Sequence, residues 1–540
     1  MTNRRVLVNG KVFTANKEQP WAEAVVIEGN KIAFVGTSDE ACAMAGETPV
    51  EDLGGKLMTP GLIDGHLHVF GAIVFDGLVS LAHMTPDEML AAIKEDIDAH
   101  PERSAYTGLG WADDTFGEAG PSRYDLDTIC PDKPVAVMSA SMHTLWCNSK
   151  ALEVAGITKD TPDVDPDAGV LFVRDENGEP TGWAKEIASM TQVMSAAQYF
   201  DEETLSHAMD RFLEQCAGYG ITSLFDCGAL GFMMSLFNDA LRAKFERDET
   251  PCRLDMCGYA GAAGLFDAAL KDCDALHKRF TGDRLFCNFH KMFNDGTLES
   301  FSAAIKNPYP DGSVVKPAMT AEKLAERFEA CAKLGLNVNV HAIGADAVHN
   351  VLEGAGIVRG KGYNDIRIIC SHCTYVYPED IAKFGEYNVF SNTTGLWIAE
   401  PADEQTYELI KGLVEAKDYP MKSILAGGAH VGLGSDFPTD PRSLPPMQSI
   451  EGLVTRAEIG NPGGFAHDGD ECLTMEQVLR GYTIENAWEM QREDVLGSIE
   501  VGKYADLAIF EQDLFEVEPH TIHDVQVAET IKDGLTTFKK

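Results

Sequence analysis

No stretch of this 540-residue chain approaches the roughly 18 apolar residues of a membrane span. The opening residues, MTNRRVLVNGKVFTAN, hold two arginines but no apolar run of a secretory leader. Neither a membrane protein nor an exported one is expected. Basic residues are scarce: 44 Lys and Arg stand against 85 Asp and Glu, a net charge of −41. Such a surface repels phosphate backbones, so nucleic acid is excluded as a partner, and the acidity serves solubility. The 13 cysteines are odd in number and scattered, without a framework of paired CxxC spacings. Cys147, Cys216 and Cys331 lie in helical or mixed apolar surroundings. Reduced, mostly buried thiols and a cytoplasmic location are expected. What the chain does have is 44% hydrophobic and 24% charged residues, a globular composition with material for a large core.

Both ends read as β structure. RRVLV-NG-KVFTA is expected as a hairpin, with Asn9-Gly10 supplying a type I′ turn. WAEAVVIE-GN-KIAFVG repeats the pattern, and YADLAIFEQD and VQVAETIK-DG-LTTF do so at the far end, with Asp533-Gly534 as turn. The economical reading is one composite β-sandwich domain from residues 1–58 and 495–540, with a large domain, 59–494, inserted between them.

That middle counts to eight. Short strand-like runs fall at 61–69, 221–227, 253–259, 285–293, 337–343, 366–372, 387–393 and 430–436, with helical segments between. In TAEKLAERFEACAKLG, Thr320 can cap, Leu324, Phe328, Cys331 and Leu334 share a face, and Gly335 stops the helix. In TMEQVLRGYTIENAW, Thr474 and Gln477 form a capping-box signal. The pattern argues for an α/β fold, a (β/α)8 TIM-like barrel, whose active site forms at the C-terminal strand ends. The gap after the first strand is too long for one crossover. It is expected to hold an inserted α+β subdomain, about 76–200, with AYTGLGW and PVAVMSA as strands and NSKALEVAG as a helix.

LIDGHLHVFG places His66 and His68 two residues apart after an apolar run. In a strand, residues i and i+2 point the same way. Two imidazoles aimed at one spot suggest a metal, against the alternative of satisfied polar groups near a strand end. Other strand ends carry Lys291, His341, His372 and Asp436. Alone, each has an ordinary explanation, such as a helix cap for the aspartate. Gathered at one end of a barrel, four imidazoles and a carboxylate suit Zn²⁺.

MTPGLIDGHLHVFG, GLGWADDTF, HTLWCNSKALEVAGI, KMFNDGTLES, VHAIGADAV, LGSDFPTDP and GSIEVGKYADLAIF together span nearly the whole chain. In that order they resemble the amidohydrolase superfamily, and within it the amidohydrolase-3 (YtcJ-like) branch. The resemblance implies a metal set of His66, His68, Lys291, His341, His372 and Asp436, with Asp436 also catalytic. It implies two divalent metal ions, expected as Zn²⁺, bridged by a carboxylated Lys291. The alternative for Lys291 is an ordinary lysine reaching solvent or an acidic partner. Mononuclear deaminase relatives place Glu three residues after the strand-five histidine; here Gly344 stands there. Ser371 before His372, and TLESFSA after the strand-four Asp-Gly, depart from the branch, so no substrate carries over from relatives.

The expected activity is hydrolysis of an amide-type C–N bond of a small molecule (N-acyl, N-formyl or cyclic amide) by a metal-activated hydroxide. Asp436 would move the proton. Alternatives are a metal-dependent isomerase or an ester or lactone hydrolase on the same barrel, and, less favoured, a non-catalytic binding protein. Trp111 and His143 are candidates for substrate contact, with internal packing as the alternative. Arg456 is a candidate for binding a carboxylate, with pairing to an acid as the alternative. A homodimer is admitted.

Overall fold

In the computed structural model the expected strand runs of the middle form one parallel sheet of eight strands in chain order. They are β1 (Leu62–Leu67), β2 (Ile221–Asp226), β3 (Arg253–Tyr259), β4 (Leu285–Phe293), β5 (Asn337–Ala342), β6 (Ile368–His372), β7 (Val389–Thr393) and β8 (Val431–Leu433). The structure describes all residues except 1–3, 77, 83, 113–114, 140–143, 164–170, 200–201, 229–238, 248, 260–265, 299, 311, 401–403, 441 and 468. Every residue of β1, β2 and β5 to β8 is buried, as parallel strands covered on both faces require.

The sheet is nearly closed, and a side chain completes the seam between β8 and β1. Asn486 Nδ2 donates to Ile63 O and Leu433 O, both at 2.7 Å, and its Oδ1 accepts from Leu433 N at 3.1 Å. Two glycines make room for it: a Cβ on Gly65 or Gly432 would fall 2.6 or 2.3 Å from that Oδ1. Beyond the strands, Asp436 N donates to His66 O and His68 N to Phe437 O, at 2.6 and 2.7 Å.

Helices between strands follow their caps. Thr320 accepts from Lys323 N and opens the helix Ala321–Ala332, which buries Leu324, Phe328 and Cys331. Leu334 departs from the expected face: it lies beyond the helix end and is exposed. Thr474 and Gln477 form the capping box of Met475–Arg480.

The terminal segments build two sheets. One orders Lys31–Gly36, Ala24–Glu28, Arg4–Val8 and Val50–Asp52. The other orders Leu535–Lys539, Val527–Lys532, Leu507–Phe510, Leu57–Pro60, Lys11–Phe13 and Trp21–Ala22. Leu7, Val25, Ile27, Met58, Leu507, Ile509 and Ile531 share one apolar cluster across them. The first expected hairpin does not form, because Arg4–Val8 and Lys11–Phe13 enter different sheets. Only Asn9 takes positive φ there, and Gly10 N bonds to Glu23 O. Asn9-Gly10 is therefore a crossing point, since a type I′ turn needs positive φ at both central residues. Asp533 and Gly534 do have it, at 51° and 74°, and join a true hairpin.

Two compact units divide the chain: Met1–Val69, Leu213–Gly228 and Arg242–Lys540 form one, and Phe70–Phe212 with Ala229–Leu241 the other. Barrel and terminal sheets belong to the first. The second holds a six-stranded sheet with Tyr106–Trp111 and Val135–Ser139 as neighbours, and the helix Ser149–Ala155. Among the described residues no helix is long and apolar enough to cross a membrane.

Candidate metal centre

The chemistry-bearing residues meet at the C-terminal ends of the barrel strands. The backbone bonds that zip the segments after β8 and β1 bring Asp436 Oδ1 within 3.3 Å of His66 Nε2 and 3.2 Å of His68 Nε2. Lys291 Nζ donates to His66 Nε2 at 3.2 Å. His372, the last residue of β6, has its ring 4.9 Å from that of His66 and 4.5 Å from that of His341. One ligand atom each from His66, His372 and Asp436 lie within 4.8 Å of one another. The six residues expected at the site thus converge. His372 and Asp436 hold left-handed backbone, φ 78° and 53°, a conformation that costs energy in non-glycine residues and gathers at functional sites.

Charge prepares the donors. Burial, then the Lys291 ammonium, pushes His66 well below the usual histidine range. The same two causes bring His341 to about 4. Burial and His341 lower His372. All three are neutral at pH 7, as ligation requires. His68 differs: burial lowers it, but the Asp436 carboxylate outweighs burial and raises it to about 9. Its Nδ1–H donates to Gly228 O at 2.5 Å, which turns Nε2 towards Asp436. His341 Nε2–H donates to Gly296 O at 3.1 Å, leaving Nδ1 as its lone-pair nitrogen.

These residues fit a divalent ion. Asp436 Oδ1 is buried and has no hydrogen-bond partner. An unpaired buried carboxylate oxygen is costly, and a cation between it and the imidazoles would supply the missing partner.

Sequence reasoning missed the groups that hold this set. Asn339 Oδ1 accepts from Lys291 Nζ at 3.0 Å and from Ser371 Oγ at 2.8 Å. The parallel register sets Lys291 beside Asn339 and His341 beside Ser371. The signal was there: Asn339 precedes His341 by two residues and shares its face. Asp295, buried after β4, accepts from the backbone N–H groups of Ala304, Ile343 and Gly344, with Oδ1 3.7 Å from His341 Nε2. Burial raises its pKa to about 7 against those three donors.

The residues expected at substrate are placed differently. Trp111 is fully buried, its indole N–H donates to Val137 O at 3.1 Å, and its ring packs against Phe116. Arg456 is buried too, with its guanidinium donating to Tyr419 O and Asp418 O at 3.0 and 3.2 Å. Both side chains are occupied by internal contacts. His143 lies outside the described residues. A second group that could hold an ion, His349, Glu353 and Asp380, already shares the Lys383 ammonium between its two carboxylates.

Comparison with known proteins adds to this geometry. Residues 49–538 match the profile of the amidohydrolase family. The chain is 26% identical over 541 residues to the putative amidohydrolase YtcJ of Bacillus subtilis (strain 168), covering 98% of each chain. It is 26% identical over 567 residues to the N-substituted formamide deformylase of Arthrobacter pascens, covering 100% of this chain and 99% of the relative. Its fold resembles the crystal structure of an uncharacterized metal-dependent hydrolase from Pyrococcus furiosus, with TM-score 0.72 and 23% identity over 95% of this chain and 100% of that one.

Proposed function

The chain belongs to the amidohydrolase family and is a hydrolase acting on carbon–nitrogen bonds other than peptide bonds; from that premise, we propose that it cleaves an amide-type C–N bond of a small molecule. N-acyl, N-formyl and cyclic amides are the candidate substrates. A relative over the full length is named a deformylase of N-substituted formamides, which supports N-formyl compounds as the first to try.

The observation that carries the proposal is Asp436 Oδ1, buried without a hydrogen bond at 3.3 and 3.2 Å from two imidazole nitrogens. His66, His68, His341, His372 and Asp436, with Lys291 carboxylated on Nζ as the bridge, would hold two divalent ions, proposed as Zn²⁺. Bound there, the ions supply Lewis acidity and lower the pKa of water towards neutrality. Asp436 accepts a proton from the attacking water and returns it to the leaving nitrogen. The neutral imidazoles of His66, His341 and His372 hold no proton that would compete with the ions, whereas His68, raised to about 9 by Asp436, gives one up when an ion binds. Asn339 and Ser371 fix the direction of Lys291, and Asp295 holds the loops after β4 and β5 around His341.

As domains, we read 1–58 with 495–540 as one β-sandwich and 59–494 as the barrel with its insert at about 76–200. The pairing of Leu57–Pro60 with Leu507–Phe510 supports this division. All thirteen cysteines are free thiols, in keeping with a cytoplasmic setting. The test is a screen of N-formyl, N-acyl and cyclic amides with the zinc-reconstituted protein, read by amine release. Turnover of esters alone, with every amide untouched, would defeat the proposal.

A further inference from the structure

Three aromatic rings frame the candidate centre. Phe293, the last residue of β4, stacks on His341 with centroids 5.0 Å apart and planes 27° apart. Trp397, in the short helix Gly395–Ala399 after β7, stacks on His372 at 5.4 Å and 18°. Tyr259, the last residue of β3, meets Phe293 edge-on at 5.6 Å and 76°. Tyr259 also lies against Gly228, where a Cβ would come within 2.9 Å of its Cδ2. Gly228, at φ 86°, therefore both admits this ring and presents the carbonyl that receives His68. Each ring sits beside the support of a different histidine of the centre.

Their exposure separates them from the groups they cover. His341 and His372 are only 8% and 3% exposed, whereas all three rings are half-buried. The three half-buried rings stand at the barrel end where His66, His372 and Asp436 meet.

We propose that Tyr259, Phe293 and Trp397 form an aromatic subsite that selects substrates carrying an uncharged aromatic ring next to the scissile C–N bond. The inference rests on the hydrolase reading and adds the class of substituent. Offset and edge-on contacts between aromatic rings contribute beyond simple burial. An anionic substituent would be desolvated against the negative faces of these rings without a partner. Trp397, with the largest ring and a place on a short helix outside the barrel strands, is the main discriminator. Phe293, also 5.5 Å from Lys291 Nζ across its ring face, is the second.

The test compares two hydroxamates on the zinc-reconstituted protein by calorimetry: benzohydroxamate, with an aromatic ring, and acetohydroxamate, with a methyl group. In the wild type the aromatic ligand is expected to bind at least about tenfold tighter, in line with a ring–ring contact plus burial. Trp397→Ala should reduce that preference to within about threefold while leaving acetohydroxamate affinity unchanged, and Trp397→Phe should restore most of it. Equal affinities in the wild type overturn the subsite and leave the hydrolase reading standing, as does a preference that survives both Trp397→Ala and Phe293→Ala. Absence of binding by either hydroxamate, together with failure to take up zinc, overturns the hydrolase reading instead. The subsite is then decided on the metal-free protein by saturation-transfer NMR with acetanilide. Transfer to its ring protons in the wild type and not in Trp397→Ala sustains the subsite, and equal or absent transfer ends it.

Discussion

Nε2 of His68 stands 3.2 Å from Oδ1 of Asp436, joining the ends of the first and last barrel strands. Burial pushes this imidazole down, yet the carboxylate carries it to about 9. Two buried groups this close share either a proton or a cation. The space between the ends of β1 and β8 is where a proton and a bound metal ion would compete.

That competition separates holding an ion from moving a proton. Asp436→Asn keeps shape and an oxygen donor but cannot take a proton at neutral pH. It should lose about 10²–10⁴-fold in kcat while retaining nearly all its metal. His66→Ala should lose metal and activity together. Metal content measured beside turnover checks both, and an Asn variant above about a tenth of wild-type kcat would remove Asp436 from the proton step.

Elemental analysis of protein purified without chelator should return close to two zinc-like equivalents per chain. Lys291→Met, which cannot be carboxylated, should return one at most. A wild-type ratio near one, unmoved by added zinc and bicarbonate, would dispose of the bridging lysine.

Arg253, on β3 and almost fully buried, pairs with Asp506 at 2.9 Å and Asp533 at 2.6 Å. Removing one partner of a buried ion pair costs about 3–5 kcal/mol, because the other charge stays behind. Arg253→Met should therefore lower Tm substantially. Arg284, 3.8 Å from Asp533 and 37% exposed, should matter far less when changed to Met. A Tm for Arg253→Met equal to the wild type's would show that the aspartates find other partners.

Glu489 is wholly buried, accepts from Asn392 Nδ2 at 3.1 Å, and leaves Oε1 without a hydrogen bond. Burial lifts its pKa well above the ordinary 4.5. A carboxyl raised on folding contributes stability that is complete below its unfolded pKa and is lost as pH rises towards its folded pKa. Wild-type stability should accordingly fall relative to Glu489→Gln as pH is raised from 4.5, by up to about 1.4 kcal/mol per pH unit. Urea melts at several pH values read the difference, and parallel curves for the two proteins would refute a neutral Glu489.

Much of the fold was legible because its signals are local. Apolar runs buried on both faces read as parallel strands, and His66 and His68 share a face by the alternation of a strand. Thr320 and Thr474 announce their helices. What was not legible depends on distant partners. Asn9-Gly10 has the composition of a tight turn, but each flanking strand finds better pairing elsewhere, so the peptide becomes a crossing. Leu334 fits the apolar period and falls past the end of its helix. Asn486 looks like any helix residue until Gly65 and Gly432, far away in sequence, open the space that it fills. Trp397 lies on a five-residue helix that carries no motif.

The pairing of Leu57–Pro60 with Leu507–Phe510 has a consequence in time. A ribosome releases the first of these strands long before the second exists. At roughly 5–20 residues per second, the wait between them is on the order of 20–90 s. Throughout that interval the segment leading directly into β1 is paired with Lys11–Phe13 on one edge and open on the other. The barrel waits almost as long, because β8 and the Asn486 that closes its seam are also made late.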